Sequence, residues 1–278
     1  DDDGYDELAL VSELKGEMAL TLARPEDREN PDSSWVVLSR TVLTGVKRKP
    51  FEVREVAVFD DNRRGLMVFV PREAPVLLYP EEVDGLVLKE VAQASTIRES
   101  LLKDMQPAQV SVFDVDGDGT NELVVGRSGY ARALRVKHDM LEMVDQFNAL
   151  RGDDVVSAVI PLYRDGAVQQ LFFYVSAGGE FQLLERDQDG VFRYRTTVDA
   201  GKINLSEWYQ LEETKGATEF IFAGEDRFWR LPAQADVWTR VVEESFETNL
   251  EDVHYSYVAG ADFNQDGRFD LLAVDGQS

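Results

Sequence analysis

Cysteine is absent from the 278 residues. That excludes disulfides, thiolate-held metals and a cysteine nucleophile, and leaves the compartment open. Histidine is almost absent too: only His138 and His254 occur, in separate parts of the chain and near acidic residues. Each is expected at the surface, not as a general base. Apolar runs never exceed a handful of residues, so no segment reads as a membrane-spanning helix. No G-x-S-x-G elbow, G-x-x-x-x-G-K loop or G-x-G-x-x-G turn occurs, which removes the commonest nucleophile and phosphate-cradling motifs. Positive charge is scarce: 29 Lys and Arg stand against 53 Asp and Glu, a formal net charge of −24. Nucleic-acid backbones and anionic lipid would be repelled, so neither is expected as a partner. The chain opens without Met and without a charged-then-apolar leader. It is therefore expected to be a piece of a longer protein.

What is present begins with a hydrophobic content of 44%, enough for a sizeable core. A pattern then repeats. "DGTNELVVG" (Asp118 to Gly126) has a close relative in "DGRFDLLAV" (Asp266 to Val274) and another in "DGYDELALV" (Asp3 to Val11). Weaker copies are "KGATEFIFAG" (Lys215 to Gly224), "DGAVQQLFFYV" (Asp165 to Val175) and "FDDNRRGLMVFV" (Phe59 to Val70). Phased on glycine, the copies fall at Gly4, Gly65, Gly119, Gly166, Gly216 and Gly267, at intervals of 61, 54, 47, 50 and 51 residues. A period near fifty with short β runs is that of propeller blades, each a four-stranded sheet. The two long intervals hold the polar insert Arg24 to Ser34 and the segment 92–106, whose "AQASTIRESLLKDM" could form a short helix.

Within the third copy the strands read as 109–113, 122–125, 131–137 and 140–147, separated by turn signals such as "GRSGY". No room remains for the helices that parallel βα units require. The expected fold is all-β: a single propeller domain over 1–278 with about five to seven blades, the glycine markers opening the second strand of each. The ends are expected to leave the ring incomplete in this segment.

In "VFDVDGDGTNELVVG" (Val112 to Gly126), Asp114, Asp116 and Asp118 alternate and are followed by Gly119. Carboxylates crowded this closely repel one another unless something cationic sits among them. They occupy positions 1, 3 and 5 of a loop, with Thr120 at 7 and Glu122 at 9. Asp262, Asn264, Asp266, Arg268 and Asp270 fill the same positions in the sixth copy. Hard divalent cations take six to eight oxygens, and a glycine turn folds the early ligands around one point. An EF-hand would close with Glu at position 12 between helices. Here position 12 is Val125 or Ala273, inside an apolar strand, so that reading is rejected.

The D-x-[DN]-x-D-G-x-x-[DE]-L pattern between strands, repeated at about fifty residues, resembles the FG-GAP/VCBS repeat family, which includes the propeller heads of integrin α subunits. The resemblance implies Ca²⁺ held by Asp114, Asp116, Asp118, Thr120 and Glu122, and by Asp262, Asn264, Asp266, Arg268 and Asp270, with Thr120 and Arg268 acting through backbone oxygen. Asp1, Asp3 and Glu7 match a third, truncated set. The other three copies lack a full ligand set: the Gly65 copy offers Asp60 and Asn62 but has Arg64 at position 5, the Gly216 copy has Lys215 there, and the Gly166 copy keeps Asp165 but has Pro161 and Tyr163 at positions 1 and 3. Two full sites are therefore expected. The family also includes many bacterial secreted and surface proteins, so a secreted, periplasmic or cell-surface location is expected.

"RGD" at Arg151 to Asp153 is read as a chance tripeptide, and "VKRKP" at Val46 to Pro50 as a solvated loop. Trp35, Trp208, Trp229 and Trp238 could stack on sugars, but most are expected in blade cores. No catalytic residue can be named. Two functions remain. The first is a non-catalytic, calcium-stabilised surface scaffold presenting loops to a protein or glycan. The alternative is a polysaccharide-processing lyase or hydrolase on the same scaffold. The scarcity of histidine and the brevity of most inserts favour the scaffold.

Overall fold

The computed structural model describes residues 7–27, 30, 32–59, 63–82, 86–164, 167–200, 207–212, 218–223, 228–234, 237–238, 242–244, 255–264, 266 and 270–275. Strands β1 (Leu8–Leu14), β2 (Glu17–Pro25) and β3 (Trp35–Val42) form a three-stranded sheet in that order. Four-stranded sheets follow: β4 (Glu52–Val56), β5 (Gly65–Phe69), β6 (Val76–Glu82) and β7 (Leu86–Glu90); then β8 (Val110–Phe113), β9 (Glu122–Arg127), β10 (Tyr130–Lys137) and β11 (Met140–Asn148); then β12 (Val156–Arg164), β13 (Ala167–Val175), β14 (Glu180–Arg186) and β15 (Phe192–Asp199). β16 (Glu207–Glu212), β17 (Thr218–Ala223), β18 (Phe228–Gln234) and β19 (Val237–Trp238) continue the series, with β20 (Val242–Glu244) also paired to β18. β21 (Tyr255–Ala261) and β22 (Asp270–Asp275) close it as a pair. The architecture is all-β, built from four-stranded antiparallel sheets of the propeller-blade kind.

The chain divides into two compact units, Asp1–Val125 with Arg132–Gln146, and Gly126–Ala131 with Phe147–Ser278. The first unit packs Leu20, Val68, Val70, Leu78 and Leu88 into one cluster, and the second packs Ile160, Phe172, Phe181, Phe220 and Leu231. In the second, Phe181 stacks on Phe222 at 5.0 Å and Phe172 meets Phe220 edge-on at 5.4 Å. Each fully buried ring stabilises by roughly 1.5–3 kcal/mol.

Burial falls across each sheet for reasons visible in the residues. The middle strand β13, "AVQQLFFYV", is buried over most of its length, whereas the fourth strand β15, "FRYRTTVD", is largely exposed. β11 repeats this, with charged residues along an exposed outer edge. Such polar outer edges discourage pairing with other chains.

Two marker glycines have different physical reasons. Gly119 sits at φ +89°, left-handed backbone that a side chain would strain. Gly65 has no such φ. A Cβ there would lie 2.2 Å from the Phe59 ring and 2.4 Å from the Leu78 carbonyl oxygen. Gly4, Gly166, Gly216 and Gly267 lie outside the described residues.

Segment 92–106 holds one α-turn at Ser95–Ile97 and a wider turn at Arg98–Leu102, which buries Leu101 and Leu102. Trp35, expected with the other tryptophans mostly in blade cores, is instead 48% exposed. It is the first residue of β3, whose leading residues are all exposed. No helix among the described residues is long and apolar enough to cross a membrane.

Candidate functional site

The loop joining β8 to β9 is organised by its own carboxylates. Asp114 Oδ1 accepts from the Gly117 N–H at 2.6 Å and the Asp118 N–H at 3.2 Å, and its Oδ2 accepts from the Gly119 N–H at 2.8 Å. Asp116 Oδ1 accepts from the Asp118 N–H at 3.1 Å, and Asp118 Oδ1 from the Thr120 N–H at 2.8 Å. Glu122, fully buried at the start of β9, accepts from the Val115 N–H at 2.9 Å through Oε2. The aspartates thus act first as caps for a turn that would otherwise leave its amides unpaired.

The cation among them is Arg135, from β10. Its Nη1 lies 2.8 Å from Asp118 Oδ2, its Nη2 is 3.1 Å from Asp116 Oδ2, and its Nε donates to Glu122 Oε1 at 2.8 Å. Nη2 donates to the same Glu122 oxygen. Nothing in the loop motif announces this residue. The available signal is an arginine inside the otherwise apolar run "ALRV" of the next strand. Burial works against the Arg135 charge, but Glu122, Asp116 and Asp118 together hold its pKa above the ordinary value. Burial pushes the Glu122 carboxyl upward, while the Val115 N–H and Arg135 pull against it. Asp118 is held low, chiefly by the Thr120 N–H and then by Arg135.

Asp114, Asp116 and Glu122 each offer a carboxylate oxygen within 4.8 Å of the others, so this acidic cluster could hold a metal ion. The donor set suits a hard cation, since all three ligands are carboxylates. One guanidinium against four carboxylates leaves the loop strongly negative. Asp118 faces Arg135 and falls outside the cluster. Thr120 stands in the same loop, half-buried.

The sixth copy folds by the same rules. Asp266 N–H donates to Asp262 Oδ1 at 3.0 Å and to Asn264 Oδ1 at 2.9 Å, as Asp118 N–H does to Asp114 and Asp116. Phe263 N–H donates to Asp270 Oδ2 at 3.1 Å, matching Val115 and Glu122. Here the carboxylates are exposed, apart from half-buried Asp270. Arg268 lies outside the described residues, as do Asp1 and Asp3. Glu7, half-buried, immediately precedes β1.

Two other groupings were not legible in the sequence. Arg151 of the "RGD" tripeptide is held by Asp154 at 3.0 Å and Glu180 at 3.2 Å. Gln182, fully buried, donates to Asp154 at 2.6 Å. In the first unit, a cavity of about 190 Å³ is lined by Phe59, Arg63, Tyr79 and the consecutive residues Val136, Lys137, His138 and Asp139. His138 is exposed at its rim; His254 lies outside the described residues.

No family model matches the chain, and no curated protein matches it. Among solved structures, it is similar to the periplasmic gluconolactonase PpgL of Pseudomonas aeruginosa, at 15% identity and a TM-score of 0.51, over 95% of this chain and 72% of that one. It is also similar to a protein from Lactobacillus plantarum, at 16% identity and a TM-score of 0.50, over 87% of this chain and 68% of that one. These likenesses show the fold. It is a β-propeller.

They also correct the resemblance to FG-GAP/VCBS repeats: no family model matches the chain, and of these two propellers the one described by an activity is a gluconolactonase. The physical reason is local. A nine-position D-x-D-x-D-G loop is one way to join two antiparallel strands with its amides capped, and any β-sheet can carry it. The calcium-binding label and the non-catalytic surface scaffold came with that resemblance. Both are set aside, since an enzyme stands among the similar structures. An acidic cluster that could hold a metal ion remains.

Proposed function

We propose that this chain is a carbohydrate-directed hydrolase that opens the ring ester of a sugar-derived lactone, and that it works outside the cytoplasm. One observation carries the reading: 95% of the chain matches a propeller described as a periplasmic gluconolactonase. This narrows the enzyme alternative, from polysaccharides in general to a cyclic ester. Water adds to the acyl carbon, the ring C–O bond breaks, and a hydroxy acid leaves.

Asp114, Asp116 and Glu122 are the residues that would hold a divalent cation. When bound, such an ion polarises a carbonyl and acidifies water. The chain's own part is to preorganise those carboxylates. Gly117 and Gly119 amides fix Asp114, the Val115 amide fixes Glu122, and Arg135 holds Asp116, Asp118 and Glu122 in one array.

The test is acid release from glucono-δ-lactone by the purified chain, compared with the spontaneous rate. Calcium, magnesium and manganese are added in separate runs, and chelator in another. The expected result is turnover that Asp114→Asn and Asp116→Asn each reduce about tenfold or more, the loss of roughly 1.4 kcal/mol of transition-state stabilisation. Rates equal to the spontaneous rate with every ion would overturn the reading.

A further inference from the structure

The turn between β10 and β11 is unusual, and it borders the 190 Å³ cavity. His138 and Asp139 are consecutive left-handed residues at φ 50° and 60°, neither of them glycine. Such backbone costs free energy and persists where surrounding groups determine it. Asp139 Oδ1 accepts from the Tyr79 hydroxyl at 2.7 Å, and its Oδ2 accepts from Lys89 Nζ at 3.0 Å. The Ala92 N–H donates to the Asp139 carbonyl at 2.8 Å. The turn is therefore bolted at three points to the preceding sheet and the segment after it. Its Asp139 charge is already answered by Lys89, which also lies 4.0 Å from Glu81.

The remaining cavity cations are answered less closely: Arg63 meets the Asp139 charge only at longer range than Lys89 does. Among the described residues, neither Arg63 nor Lys137 has a carboxylate within ion-pair distance. In a chain of net charge −24, two such cations converging with a histidine on one small cavity need a reason. The floor is aromatic: Phe59 and Tyr79 rings lie 5.3 Å apart and are both nearly buried, and Arg63 sits 5.4 Å from the Tyr79 ring centroid. A cationic rim over an aromatic floor matches a sugar that carries an oxyanion. Its C–H face packs on the rings and its charge meets the rim. The volume is below the roughly 300–1,000 Å³ of drug-sized sites, which limits the occupant to about one sugar unit.

We propose that this pocket binds the oxyanion of a sugar acid or sugar phosphate, with Arg63 and Lys137 as charge partners and His138 as a third polar contact. The sugar part rests on the carbohydrate-hydrolase reading, of which a sugar acid would be the product; the oxyanion part rests on the pocket.

Calorimetry on the full chain with gluconate, glucose 6-phosphate and neutral glucose tests it. At least one of the two anions is expected to bind about tenfold tighter than glucose, and which one does so identifies the source of the oxyanion. Arg63→Ala and Lys137→Ala, both at exposed positions, are each expected to weaken that binding about tenfold without changing the melting temperature. The proposal is overturned if neither anion binds at millimolar concentration, if glucose binds as well as the anions, or if the double variant binds unchanged. Gluconate binding without lactone turnover would keep the pocket and remove the activity. Turnover alongside unchanged gluconate affinity in the double variant would remove the pocket and keep the activity.

Discussion

Arg135→Leu deletes the cation around which the first acidic loop is arranged, at a position whose side chain is only 23% exposed. The variant leaves Glu122 fully buried with the Val115 N–H as its remaining described donor, and takes from Asp116 and Asp118 the guanidinium they share. Breaking a buried pair by removing one partner costs about 3–5 kcal/mol. Here Asp116 and Asp118 are 42% and 43% exposed, so water screens their share. A cost of about 2–3 kcal/mol is then expected, most of it from Glu122.

Urea unfolding with a fixed m-value measures this directly. The melting temperature should fall by roughly 3–5 °C. Two companions sharpen the test. Arg135→Leu combined with Glu122→Leu should recover most of the loss, because no unpaired charge stays buried. A divalent cation at millimolar concentration should raise the melting temperature of Arg135→Leu more than that of the parent, because it then meets the acidic cluster without a competing guanidinium. A loss below about 0.5 kcal/mol in the single variant, the range of ordinary surface substitutions, would refute Arg135 as the loop's counter-ion.

The two marker glycines should respond differently to alanine. Gly65→Ala, with its Cβ driven to 2.4 Å from a carbonyl oxygen, should cost about 2 kcal/mol or more, whereas Gly119→Ala in open space should cost only the left-handed strain of about 1–2 kcal/mol. Asparagine should rescue position 119 but not 65, as chemical unfolding will show. Acid should destabilise the fold through Asp139 and Asp154. Tyr79 and Lys89 hold Asp139 low; at Asp154 burial pushes upward but Gln182 and Arg151 outweigh it. Depressed carboxylates stabilise above their unfolded value near 4 and lose that contribution as pH falls through the folded one. The urea midpoint should therefore drop as pH goes from about 5 to about 3. A flat profile there would contradict the assignment.

Much of the fold is legible in the chain because it is local and repeated. The strands of the third copy were readable to within a residue or two, since "QVSVF", "ELVV" and "ALRVK" are short apolar-rich runs punctuated by turn residues. From Gly65 onward each glycine marker opens or precedes the second strand of its sheet, whereas Gly4 precedes β1, the first strand of the three-stranded sheet. The same locality misled the functional reading. A nine-position loop that caps its own amides carries no information about the family around it, and a resemblance built on it pointed to a scaffold.

What the amino-acid order determined by itself is the set of short-range choices. These are β rather than helix, a blade-length period, and tight aspartate turns whose amides are capped within a few residues. Tertiary structure decided everything that depends on residues far apart in sequence. Arg135 reaches Asp116 across 19 positions, and Asp139 meets Tyr79 across 60. Charge on a guanidinium acts through space at a few ångströms, and only the pairing of strands brings it there. The counter-ion of the acidic loop and the cationic pocket were therefore beyond the reach of motif and spacing.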